Sequence, residues 1–271
     1  MITKDLHEFQ SYFSEYTESR VQENRSSRIW LVNGDVIDNH QKTMSGVSAR
    51  SYKDGFWGFA SNPLMDESAI RQVIGQASQN ASFLASKEEQ AAPPLLKKPA
   101  HGEYDFATKN SRLTQKELVG FLKTIDEHLI KTYSKLSSRT VVLSALDMEK
   151  SLLTSDGSSA YSMIPRAFVY VILNTEVDGK PYEMFNSYGG FGQFESCFAK
   201  PEALFAKIEK QYQQLMDKAH GIYAKAGMKD VILDAELAGI LAHEAIGHTT
   251  EADGVLGGSI AGNYLNKKVA D

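Results

Sequence analysis

The chain has 271 residues, 42% hydrophobic and 23% charged, with a net charge of −5. That length supports one sizeable core or two small domains, and the acidic balance gives no electrostatic case for nucleic acid or an anionic membrane. A single cysteine excludes an intramolecular disulfide framework and suits a reducing, cytoplasmic compartment, while the charged stretch Met1–Glu8 is unlike a signal peptide and no apolar run is long enough to span a membrane.

Ile2, Leu6, Phe9, Tyr12, Phe13 and Tyr16 recur at helical spacing, which predicts a helix over residues 2–16. Strands at 28–32 and 35–38 meet across Asn33-Gly34, a strong hairpin signal. A second pair, 46–52 and 56–61, turns at Lys53-Asp54-Gly55. Residues 63–86 read as a helix with Ile70, Val73, Ile74, Ala77 and Leu84 on one side. Residues 87–112, with Ala91-Ala92-Pro93-Pro94 and Lys97-Lys98-Pro99, read as an extended connector. Thr114 and Glu117 form a capping-box pattern for a helix to about residue 134, with Leu118, Phe121, Leu122, Ile125, Leu129 and Ile130 inward.

Long antiparallel strands follow. Residues 140–149 return as 160–175 across Ser155-Asp156-Gly157, and Asp178-Gly179 leads to 181–188. The cluster Gly189-Gly190-Phe191-Gly192 lacks the lysine and hydroxyl ending of a phosphate loop, so it reads as a bend or a close approach of chains. A helix over 201–226 and a short buried strand over 229–233 precede a helix capped by Asp234. The expected fold class is α+β: antiparallel sheets flanked by helices, in two lobes (1–86 and 113–271) joined by the 87–112 linker.

The chemistry concentrates in His243-Glu244-Ala245-Ile246-Gly247-His248. Neutral imidazole is a common zinc ligand, and a carboxylate beside one is placed to take a proton from metal-bound water. This is the kit for hydrolysing an amide with Zn2+. The histidines are five residues apart, however, and on a regular helix that leaves them roughly 140° out of register. A shared metal therefore requires a π-bulge or a helix end between them, and Gly247 eases either. The competing reading is two unrelated histidines. Glu251 and Asp253 are candidates to orient the imidazoles, or else solvated turn residues.

The run from Val231 to Asp253, with its HEAIGHTTEAD core, resembles the signature of the TldD/PmbA metallopeptidases. So do Ser26-Ser27-Arg28 with Asn33-Gly34, Gly46-Val47-Ser48-Ala49-Arg50, and Lys53 through Ala60. The resemblance implies His243 and His248 as zinc ligands and Glu244 as general base. It further implies an extended or unstructured peptide substrate, and a homodimer or a heterodimer with a PmbA-like paralogue. That paralogue lacks the histidine motif, so the chain resembles the active TldD-like subunit. The family's third ligand is a cysteine well beyond the motif. The only cysteine here, Cys197, lies upstream among aromatics and reads as a buried, inert thiol. The chain is thus expected to stop short of its third ligand. A zinc peptidase ranks first, then a non-catalytic interaction subunit or inactive fragment, then a structural metal site, for which His-His-Glu is a poor donor set.

Overall fold

A computed structural model of the chain describes residue 2, residues 4–87, residue 95 and residues 98–268. The chain divides into two units, Met1–Gly221 and Ile222–Asp271. In the first, alternation of buried and half-exposed residues, clearest along β6, builds a seven-stranded sheet. In chain order its elements are β1 (Tyr16–Val32), β2 (Asp35–Lys53), β3 (Phe56–Asn62), α1 (Glu67–Ala85), β4 (His101–Asp105) and α2 (Gln115–Thr132). β5 (Leu136–Thr154), β6 (Ser159–Val177), β7 (Lys180–Phe191), the short α3 (Phe194–Cys197) and α4 (Phe205–Ala219) complete it.

The strand order is β3-β2-β1-β5-β6-β4, with β7 also on β6. Every pairing is antiparallel except β4 with β6. Three hairpins close on Asn33-Gly34, Asp54-Gly55 and Asp178-Gly179, with both residues of each at positive φ. This is the turn whose twist matches the flanking strands.

One face of the sheet carries two apolar clusters. In the first, Val21, Val47, Leu153 and Met163 pack under Ile70, Val73 and Ile74 of α1. In the second, Leu31, Leu143 and Val169 pack under Leu122 and Ile125 of α2 and Ile208 of α4. The segments on either side of the connector share the sheet, because β1 pairs β5 from Glu18↔Thr154 to Val32↔Thr140. The two clusters are separated along the strands by a polar seam containing Glu23, Arg25, Asp147 and Glu149.

Several elements differ from expectation. The N-terminal helix is only a 3-10 turn, His7–Tyr12: Leu6 and Phe9 are buried, but Tyr16 pairs with Tyr52 in the sheet and removes the last turn. A short isolated helix is costly to nucleate, whereas the strand adds to an existing ladder. Within the connector, residues 101–105 form β4; residues 88–94, 96 and 97, which include Ala91-Ala92-Pro93-Pro94 and Lys97, lie outside the described residues. The helix starting near Pro201 ends at Ala219. No strand forms over residues 229–233; Val231 and Ile232 are exposed and have no ladder to join. The glycine-rich segment 254–263 is partly helical, in Ala252–Leu256 and Ile260–Tyr264. No helix among the described residues is long and apolar enough to cross a membrane.

Gly58 shows how closely α1 seats on β3. A Cβ there would lie 2.1 Å from the Ala77 carbonyl oxygen and 2.2 Å from the Ala81 nitrogen. Both are backbone atoms that cannot swing aside. Gly58→Ala is expected to cost about 3 kcal/mol through this overpacking, read as a lower urea midpoint at unchanged m-value. An unmoved midpoint would mean that α1 can back away from the sheet freely.

Candidate metal centre

In the second unit, the Asp234 carboxylate accepts from the Leu237 amide at 2.9 Å and caps α5 (Ala235–Ala242). The helix then widens. Residues His243–Gly247 are π-helical, and the His248 amide donates to the His243 carbonyl, five residues back. The extra residue in the turn cancels the angular mismatch of the spacing and puts both imidazoles on one side. Their ring centroids are 4.4 Å apart, with planes at 71°.

Glu244 joins them. One potential ligand atom from each of His243, Glu244 and His248 lies within 4.8 Å of the others. Two donors held at about 2.1 Å from one zinc lie no more than about 4.2 Å apart, so a small side-chain rotation closes the set. The donor chemistry of the two imidazoles, with the Glu244 carboxylate beside them, is of a kind that could hold a metal ion. His248 Nδ1 is 3.0 Å from Glu251 Oε1, a bond that leaves Nε2 facing Glu244, with 4.0 Å to its Oε2. Asp253 turns elsewhere and accepts from the Gly254 amide at 2.8 Å.

Two residues of the HEAIGHTTEAD core to which the sequence assigned no role complete the motif. Thr249 and Thr250 hydroxyls each donate to the Ile246 carbonyl at 2.9 Å. They satisfy acceptors at the end of the widened turn, where the backbone ladder stops. Hydroxyl residues placed directly after a helix end are the signal that could have found them. A 3-10 turn, His248–Thr250, and α6 (Ala252–Leu256) follow.

Cys197 ends α3 in the first unit and is not among the converging donors. It is half-buried rather than enclosed, its Sγ donating to the Phe191 carbonyl at 3.6 Å. Burial pushes its thiol pKa up, away from the thiolate a metal needs. The glycine cluster beside it serves packing: a Cβ on Gly189 would lie 2.1 Å from the Ala167 carbonyl oxygen.

Residues 17–81 match the first domain of the PmbA/TldA metallopeptidases. A metalloprotease of Methanocaldococcus jannaschii is 29% identical over 258 residues, covering 89% of this chain and 53% of the relative. A zinc metalloprotease TldD homolog of Saccharolobus solfataricus is 26% identical over 230 residues, covering 83% of this chain and 48% of the relative. The chain is similar to TldD/PmbA metallopeptidases in its first-domain match and in these relatives. The chain spans about half the length of the curated relatives it matches. Its fold is also that of a crystal structure from Bacteroides thetaiotaomicron, described as a candidate modulator of DNA gyrase. The TM-score is 0.72 at 12% identity, covering 97% of this chain and 60% of that one.

Proposed function

We propose that this chain supplies the paired histidines and the general base of a zinc peptidase acting on short or unstructured peptides. The observation that carries the reading is the π-turn, which brings His243 and His248 to one side with Glu244 beside them. When bound, zinc polarises the scissile carbonyl and lowers the pKa of its water towards about 7. His243 and His248 hold the ion. Glu251 fixes the ring orientation of His248 by accepting from Nδ1. Glu244 takes the proton from water and returns it to the leaving amine, so that the peptide C–N bond breaks as the new C–O bond forms. The substrate is an extended peptide, which can lie along a sheet edge.

Catalytic zinc sites use three protein ligands and keep a dry, shaped pocket. Here His248 and Glu244 keep 50% and 65% of their side chains in solvent, and Leu237, Ile240 and Leu241 of α5 are half exposed. Such an apolar helix calls for cover. We therefore assign the active form to a cytoplasmic assembly, either a homodimer or a heterodimer with a PmbA-like paralogue, with a third ligand from outside this donor set. The same donor count favours a second reading for the chain taken alone, that of a non-catalytic subunit or inactive fragment.

Zinc titration tests the reading. The chain is expected to bind zinc weakly, losing most of it on dialysis, and His243→Ala or His248→Ala should abolish even that. Equal zinc binding by the alanine variants would refute a shared site. One full equivalent retained with chelator-sensitive peptide cleavage would place the third ligand within these residues.

A further inference from the structure

Alternation in the long strands leaves a second sheet face that no helix among the described residues of the first unit covers. Most buried positions of β5 and all those of β6 point to the clusters under α1, α2 and α4, with Val142 and Thr154 of β5 the buried exceptions on the other face; the intervening residues are mostly half-exposed or exposed. Strand register sorts this open face into rows. One row is Ser48–Arg20–Leu152–Ala160, and four rows along lies His40–Arg28–Ser144–Phe168. Between and including these rows the face carries Arg20, Arg28, Lys42, Lys150 and Arg166, and no carboxylate. A chain of net charge −5 has thus gathered five cations on one patch free of acids.

These cations are not spent on internal pairs. Among the described residues, Arg20, Lys42, Lys150 and Arg166 form no ion pair. Two acids stand one row outside the patch: Glu18 is held by Arg50 through bonds of 2.7 and 3.0 Å, and Asp38 by His40 at 2.9 Å. Burial, then the charges of Arg20 and Arg166, push the Lys150 ammonium pKa down. The surface is also shaped: Arg20, Ser48 and Phe59 line two adjoining hollows of 290 and 550 Å³. Between the cations, Leu146, Met148 and Ile164 supply apolar ground.

We propose that this open sheet face docks an acidic, extended polypeptide. The unpaired cations attract carboxylates, and the apolar rows accept the side chains between them. A single-stranded nucleic acid would want aromatic faces turned outward for its bases. Here Tyr170 stacks between Phe168 and Phe185, at 5.8 and 5.7 Å, and the Arg28 guanidinium lies 4.6 Å from the Trp30 ring centre. Those rings are engaged with one another or with Arg28, which leaves Phe59, 61% exposed, as the aromatic side chain open beside Arg20. The inference rests on the peptidase reading for why a polypeptide should arrive there, and it adds a substrate class: segments rich in Asp and Glu.

The test uses the 271-residue chain without metal and reads binding, not turnover. A fluorescein-labelled, unstructured Glu-rich peptide is titrated by anisotropy beside its Gln counterpart and an oligothymidylate. Binding of the Glu peptide should weaken with salt. The triple variant Arg20→Glu/Lys150→Glu/Arg166→Glu should lose at least about tenfold in affinity. A control with the same charge change on helix surfaces, Lys116→Glu/Lys123→Glu/Lys210→Glu, should keep it, and the milder Arg20→Gln/Arg166→Gln should fall between should the triple fold poorly. Equal affinity for the Gln peptide, tighter binding of oligothymidylate, or an unaffected triple variant would each overturn the proposal. So would self-association of the chain that disappears in the triple variant, since a second copy would then own the face. Failure of zinc binding leaves this assay unmoved, and failure here leaves the zinc titration unmoved.

Discussion

Glu244→Gln is expected to lower peptide turnover by about a hundred- to ten-thousand-fold while leaving zinc content unchanged. The amide keeps the size of the side chain but offers no basic oxygen at neutral pH. The substitution should leave the fold intact, because 65% of the Glu244 side chain is in solvent. His243→Ala and His248→Ala belong to a different class, losing metal and activity together. Combining either with Glu244→Gln should cost little more than the histidine change alone, because groups that act as a unit are not additive. The measurement is single-turnover cleavage of an unstructured peptide by the assembled active protein, with zinc counted in the same samples. Wild-type turnover by the glutamine variant would move the base to another residue.

The motif was legible because its problem is arithmetic. Two histidines five apart cannot share one face of a regular helix, so a wide turn or a helix end was required before any coordinates, and the backbone supplies the wide turn. The hairpins were legible for a similarly local reason, since Asn33-Gly34 and Asp178-Gly179 specify their own backbone. Thr114 with Glu117 announced α2 in the same way, and both bonds of that box are present. What was hidden is non-local. The pairing of β1 with β5 joins residues far apart in sequence, and it extends both strands beyond the short runs their patterns suggested. Tyr16 carries the aromatic stripe of a helix yet enters a strand because Tyr52 is waiting opposite it. The apolar run at 231–233 had strand composition but no neighbour to pair with, and composition alone cannot supply one. The cationic face escaped notice because its members come from four strands and align only through register.

The polar seam between the two clusters is the most exacting of these non-local features, and Arg25→Met should expose it. Glu23 and Glu149 are directly opposite each other on β1 and β5, an arrangement that like charges disfavour. Arg25 bridges them, with its Nη1 bonded to Glu23 and 2.8 Å from Glu149 Oε2. Glu149, whose side chain is 1% exposed, also accepts from the Tyr161 hydroxyl at 2.9 Å. Burial by itself would raise the Glu149 pKa, but the bonds from Arg25 and Tyr161 outweigh it and hold the carboxyl below its usual range. With its folded pKa depressed, Glu149 contributes stability above the unfolded value, and that contribution is lost as pH falls through the lowered one. Methionine keeps most of the side-chain volume and removes the charge, leaving two facing carboxylates, one of them buried. The expected cost near neutral pH is about 3 kcal/mol, at the lower end for broken buried pairs, because Arg25 itself keeps 35% of its side chain in solvent. The sign of the pH dependence should also invert. Without Arg25, burial and the facing Glu23 raise the folded Glu149 pKa above its unfolded value, so this site is most stable in acid and its contribution is lost as pH rises through the raised value. Urea unfolding of both proteins across the acid-to-neutral range reads the two slopes directly. Adding Glu149→Gln to the variant should restore much of the loss, since a neutral amide still accepts from Tyr161. Parallel slopes for wild type and Arg25→Met would show that water, and not Arg25, keeps the two carboxylates apart.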